Sequence, residues 1–148
     1  DQVAGLVMVG FGGGIYQPRP FGLVRRGGAL FLQLRPTWLA QLPIAETIAS
    51  PLRADLHAAR GLLACSMRRQ SVARLPALVS HLPIPSLWIA GSKDQVMEPR
   101  YVRHLAGFAQ QHTLVELDGA GHLPMRQMPH RLSEVIEGWF STLVAPQY

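Results

Sequence analysis

Three short apolar runs, each closed by glycine, constrain this chain more than any other feature. Residues 3–9 (VAGLVMV) lead into Gly10-Phe11-Gly12-Gly13-Gly14, residues 87–90 (LWIA) stop at Gly91, and residues 114–117 (LVEL) stop at Asp118-Gly119. Strands with one wet face alternate apolar and polar residues, whereas strands of a parallel sheet covered on both faces read as short apolar stretches. These runs fit the second pattern. Between the second and third, Pro99 suits a first helical turn, and Tyr101, Leu105 and Phe108 fall at i, i+4 and i+7, which predicts one apolar stripe. After Pro129, Leu132, Val135, Ile136, Trp139, Phe140 and Leu143 predict a helix with one buried face, while Arg131, Glu134 and Glu137 point away from it. Strand, helix, strand, loop, helix is an α/β arrangement with a right-handed crossover.

The middle of the chain reads differently. From residue 15 to 82, prolines at 18, 20, 36, 43, 51 and 76 divide the sequence into short helical pieces such as RADLHAARGLLACSMRRQ. The expectation is an irregular helical insertion, with Leu56, Leu63 and Met67 among its inward residues. Three segments follow: residues 1–14 as a core strand and loop, 15–82 as the helical insertion, and 83–148 as the rest of the core. At 48% hydrophobic and 16% charged residues, the 148-residue chain is composed as a folded domain rather than a disordered one.

Charge and cysteine usage exclude several function classes. The formal net charge is +5, from 14 Lys and Arg against 9 Asp and Glu. The arginines are scattered, with no dense basic run and no interleaved aromatic residues for base stacking, so no nucleic-acid partner is expected. Cys65 is the only cysteine, which excludes an internal disulfide and fits a reducing compartment. Neither a signal peptide nor a membrane-spanning apolar run is visible, and a cytoplasmic protein is expected. Gly12-Gly13-Gly14 lacks the frame and downstream acid of a dinucleotide site, and His57, His81, His104, His112 and His130 lack metal-ligand spacing. No cofactor and no metal are expected.

The chemistry concentrates at two strand ends. Asp94 follows the second run in WIAGSKDQV, and His122 follows the third in LDGAGH, 28 residues later. Ligands in open α/β sheets bind beyond the carboxyl ends of the strands, so both side chains can reach one site. Two glycines and two prolines frame His122 in DGAGHLPMRQMP, which describes a loop of fixed path. A carboxylate that orients an imidazole can form half of a nucleophilic triad, holding the ring's tautomer while its other nitrogen takes a proton from a nucleophile. Each residue also has a plainer reading. Asp94 suits an Asx turn or a helix cap, and His122 suits a loop histidine with its hydrogen bonds satisfied.

IPSLWIAGSKDQVMEP followed by LVELDGAGHLPMRQMPHRLSEVIEGWF resembles the carboxyl-terminal part of an α/β-hydrolase, and DQVAGLVMVG resembles the strand that follows that family's nucleophile-bearing helix. The resemblance covers residues 1–11 and about 83–143, and the insertion is similar in position to the family's cap domain. It implies a partial α/β-hydrolase fold with Asp94 as triad acid and His122 as triad base. Many members carry an acid where Gln127 stands, so a supporting carboxylate is missing from that place. The larger departure is the nucleophile elbow: G-x-S-x-G occurs nowhere in the chain, and neither does a His-Gly oxyanion loop.

Two functional expectations follow. In the first, the chain is part of a hydrolase acting on an apolar, ester-like small molecule, and a missing segment or partner chain supplies the nucleophile, which is Ser, Asp or Cys. Alone, the chain is then inactive, and Tyr16, Phe21, Phe31 and Trp38 are candidates to line the substrate pocket. In the second, it is a non-catalytic α/β scaffold or interaction protein that retains the fold. The absence of an initiator methionine and the missing early strands favour a truncated chain.

Overall fold

The computed structural model describes residues 3–12, 18–34, 55–66 and 68–144. Among them three strands form one parallel sheet in the order β1 (Leu6–Val9), β2 (Ser86–Gly91), β3 (His112–Leu117). Leu6 lies opposite Ser86, and β2 pairs with β3 from Ser86 opposite His112 to Gly91 opposite Leu117. All six residues of β2 are buried. A central strand covered above and below has no wet face, which is why its sequence does not alternate.

The pleat sends successive β2 side chains to opposite faces and so builds two cores. Trp88 and Ala90 pack with Val79, Val102, Leu105, Ala106 and Ala109. Leu87 and Ile89 pack on the other face with Leu117, Ala120, Leu132 and Trp139. The first face is covered by α4 (Pro99–Ala106) and the end of α3 (Arg69–Ser80), the second by α6 (Pro129–Val144). The single turn α5 (Pro124–Gln127) directly precedes α6 in the chain.

Three local expectations differ from what forms. The first apolar run yields four strand residues rather than seven, because the ladder ends at Leu6, whose N–H donates to the Pro85 carbonyl 3.0 Å away. Pro85 has no N–H with which to extend the pairing. On α4 the buried stripe is Val102, Leu105 and Ala106, continued by Ala109 beyond the helix. Tyr101 is half-buried and Phe108 is 41% exposed, because the helix stops at Ala106 and the chain turns at Gly107 before Phe108 can repeat the period. On α6, Leu132 and Trp139 are buried and Val135, Ile136 and Leu143 pack against them, while Phe140 is 42% exposed. Phe140 follows Trp139 directly and is therefore rotated about 100° off the buried face.

The chain divides into two compact units, Asp1–Ile15 with Ala73–Tyr148, and Tyr16–Val72. The first holds the sheet. It also takes in residues 73–82, which the sequence assigns to the insertion, because Val79 inserts beside Trp88 and so ties the end of α3 to the sheet. In the second unit α1 (Pro18–Leu34) packs against α2 (Leu56–Ser66). Asp55 caps α2 by accepting the Ala58 N–H at 2.7 Å, satisfying one of the unpaired donors of the first turn. Phe31 is exposed and Leu56 half-buried. Tyr16, Trp38 and Met67 lie outside the described residues, as do the side chains of Phe21, Leu63 and Cys65.

Candidate active site

Where β2 ends, the chain turns at Ser92 and Lys93, and the Asp94 N–H donates back to the Gly91 carbonyl at 3.0 Å. The Asp94 side chain is fully buried and its two oxygens do different things. Oδ1 accepts the backbone N–H groups of Val96 and Met97, each at 2.8 Å, which is an Asx turn. Oδ2 stands 2.9 Å from Nδ1 of His122. The Asx-turn contacts and the contact with His122 therefore fall on different oxygens of Asp94. Asp94 does not cap α4, whose N-cap is Glu98 with no side-chain bond.

Two backbone donors on Oδ1 leave the carboxylate little freedom to rotate, and this aims Oδ2. An ionised carboxylate only accepts, so the proton on the shared hydrogen bond belongs to Nδ1. In the neutral ring Nε2 then carries the lone pair, on the side away from Asp94. The imidazole is 39% exposed, so one edge is anchored in the protein and the other is accessible.

The loop carrying His122 begins at Asp118, directly after β3, and its geometry depends on small residues. Gly119 has φ +77° and Gly10, at the end of β1, has φ +60°, a left-handed region that favours glycine. A Cβ on Gly10 would lie 3.5 Å from the His122 ring, so the end of β1 runs alongside the imidazole. At the far end of the loop, Gln127 Oε1 accepts the Gly121 N–H at 2.6 Å. Accepting that N–H needs only an oxygen, so an amide suffices where many relatives of the resembled family carry an acid.

The sequence singles out Asp94 and His122, and the fold brings them into contact. The residues that hold them are not visible in it. Ser92 stands in the sequence as part of the acid turn, yet its hydroxyl donates to Asp118 Oδ1 at 3.2 Å and accepts the Gly119 N–H at 2.8 Å. Their separation of 26 or 27 residues leaves no local pattern to find. Elsewhere, His81 and His112 bond carbonyls one turn back, at Ala77 and Ala109, and His104 meets Phe108 edge-on. Among the described residues no group of three or more His, Cys, Asp or Glu is placed to hold a metal ion, and no helix is long and apolar enough to cross a membrane.

The model of a family described as the alpha/beta hydrolase family matches residues 2–135. Over 66 residues the chain is 38% identical to epoxide hydrolase EphH of Mycobacterium tuberculosis, a match covering 42% of this chain and 31% of that protein. Among solved structures, a thermophilic esterase from Thermogutta terrifontis superposes with a TM-score of 0.67 at 22% identity, covering 98% of this chain and 58% of the esterase. MGS-M2, an alpha/beta hydrolase enzyme from a Medee basin deep-sea metagenome, gives 0.62 at 16% identity, covering 96% of this chain and 57% of its own. The chain thus spans under two thirds of each of these relatives.

Proposed function

The chain belongs to the alpha/beta hydrolase family, and from that premise we propose that it supplies the acid and the base of a nucleophile-His-Asp triad acting on ester-like small molecules. The 2.9 Å contact between Asp94 Oδ2 and His122 Nδ1, at the carboxyl edge of a parallel sheet, is the observation that carries the reading. The nucleophile comes from a segment or partner outside these 148 residues, since they contain no G-x-S-x-G.

In the reaction, His122 Nε2 takes the proton as a nucleophile oxygen or sulfur bonds to the ester carbonyl carbon. Asp94 stabilises the imidazolium that results. The tetrahedral intermediate collapses by breaking the bond to the leaving alkoxide, which receives that proton from Nε2 and departs as an alcohol. Water then attacks the acyl-enzyme, giving its proton to the same nitrogen, and the second collapse releases the acid and returns the proton to the nucleophile.

Identity with the epoxide hydrolase favours a second substrate class, an epoxide. A carboxylate nucleophile would bond to a ring carbon as that carbon's bond to oxygen breaks, and the freed alkoxide would take a proton from solvent to give a hydroxyalkyl ester. Water would then attack the ester carbonyl, giving its proton to His122; the diol would leave with that proton, and the carboxylic acid left behind would lose its own to solvent.

A fluorophosphonate probe and two substrates, an aryl ester and an aryl epoxide, test these readings on the chain joined to the segment that carries the nucleophile. Probe labelling and ester turnover, both lost in His122→Ala, are expected. Epoxide turnover without labelling would favour the second reading, and no turnover of either substrate would leave a non-catalytic scaffold that retains the fold. The 148 residues alone are expected to turn over neither.

A further inference from the structure

Ser92 does not touch the Asp94–His122 pair, yet it links the two loops that carry it. Its Oγ accepts the Gly119 N–H at 2.8 Å and donates to Asp118 Oδ1 at 3.2 Å, so one hydroxyl on the acid turn binds two successive residues at the start of the histidine loop. Backbone bonds flank this contact: the Ser92 N–H donates to the Leu117 carbonyl at 3.0 Å and the Lys93 N–H to the Ala120 carbonyl at 2.8 Å. The two main-chain bonds fix the turns edge to edge. The serine hydroxyl adds a side-chain hydrogen bond to each residue of the Asp118-Gly119 step, where φ of Gly119 turns positive and the chain is redirected toward His122.

We propose that Ser92 is a positioning residue, a clasp that holds the histidine loop in the conformation in which His122 Nδ1 meets Asp94 Oδ2. This rests on the reading of Asp94 and His122 as a working pair. Asp94 is itself buried and bonded on Oδ1 to two backbone N–H groups, so the pair's geometry has more freedom to vary on the partly exposed histidine side. The left-handed Gly119 is the soft point of that loop, because glycine can leave this conformation at low cost. A hydroxyl that accepts the Gly119 N–H holds the peptide plane at that point. Without it, the N–H finds water and the loop samples other conformations. Threonine carries the same hydroxyl and alanine does not, so the clasp predicts opposite behaviour for two small substitutions.

The test reads the imidazole directly. In the full 148-residue chain labelled with 15N-histidine, the Nδ1–H of His122 is expected as a downfield, slowly exchanging proton resonance, assigned by its loss in His122→Ala. Ser92→Ala is expected to abolish that resonance while cooperative thermal unfolding remains, and Ser92→Thr to retain it. A resonance that survives unchanged in Ser92→Ala overturns the clasp and leaves the pair intact. A chain in which even the unsubstituted protein lacks the resonance overturns both, because the pair itself is then not formed. Should Ser92→Ala fail to unfold cooperatively, Ser92→Cys keeps the side chain's size and replaces the hydroxyl with a weakly accepting thiol, and an unchanged resonance there likewise overturns the proposal.

Discussion

Gly91 and Ala120 approach so closely that a Cβ on Gly91 would stand 2.5 Å from the Ala120 carbonyl oxygen. Strand β2 ends on that glycine, three residues before Asp94, and Ala120 lies two residues before His122. The acid turn and the histidine loop are thus packed backbone against backbone, and the lack of a side chain at residue 91 sets how near they come.

Gly91→Ala should therefore force the two loops apart. The obstruction is main chain and cannot swing aside, so a cost of about 1–3 kcal/mol is expected, the range for overpacking a filled site. Gly138 offers the opposite case: it is exposed on α6, nothing lies within 4 Å of where its methyl group would stand, and its backbone is helical. Gly138→Ala should stabilise by about 0.4–1 kcal/mol through reduced freedom of the unfolded chain. Urea unfolding of both variants checks the pair, and equal effects would contradict the account of Gly91.

The two oxygens of Asp94 can be tested apart. Asparagine retains an oxygen for the Val96 and Met97 N–H groups but presents an amide donor to His122, which can then meet it only with an unprotonated Nδ1. Asp94→Asn should melt within a few degrees of the parent while its 15N-histidine spectrum reports the opposite tautomer. In a protein completed with its nucleophile, turnover should fall roughly 10⁴-fold, the cost of the wrong tautomer in a triad. Asp94→Ala removes both acceptors and should in addition lose about 1–3 kcal/mol of stability, for two part-buried N–H groups left without their partner.

Gln127 needs to be an acceptor and nothing more. Gln127→Glu preserves an oxygen for the Gly121 N–H and should leave that amide as protected from hydrogen exchange as in the parent. Gln127→Ala should lose about 0.5–1.5 kcal/mol of local protection, the net value of one hydrogen bond, read as faster exchange at Gly121. A glutamate variant that exchanges like the alanine variant would show that the amide nitrogen matters too.

Legibility in the sequence follows the range of the interaction. Asp94 and His122 can be named because each directly follows an apolar run closed by glycine, and a parallel sheet carries such ends to one edge. Ser92 and Gly91 cannot, since what they do depends on backbone 27 to 30 residues away, and neither residue type at a turn announces such a partner. The first strand reads too long for a related reason: residues 3–5 are apolar enough to pair, but Pro85 in the neighbouring segment ends the ladder. Gln127 reads as the loss of a carboxylate, whereas the fold asks that position for an oxygen.

The stripe on α4 gives the last discriminating case. Counting periods through Gly107 puts Phe108 on the same face as Leu105, whereas in the fold the helix ends at Ala106 and Phe108 is 41% exposed beside His104. Leu105 is wholly buried between Trp88 and its neighbours. Leu105→Ala should cost about 2–5 kcal/mol, since it removes buried methyl groups and leaves a cavity that the rigid sheet cannot close. Phe108→Ala should cost well under half of that, because the residue is 41% exposed and lies outside the core cluster that holds Leu105. Chemical denaturation of the two variants under one condition measures the difference. A Phe108 variant as damaged as the Leu105 variant would mean that the helix continues past Gly107 and that the stripe read from the sequence is the true buried face.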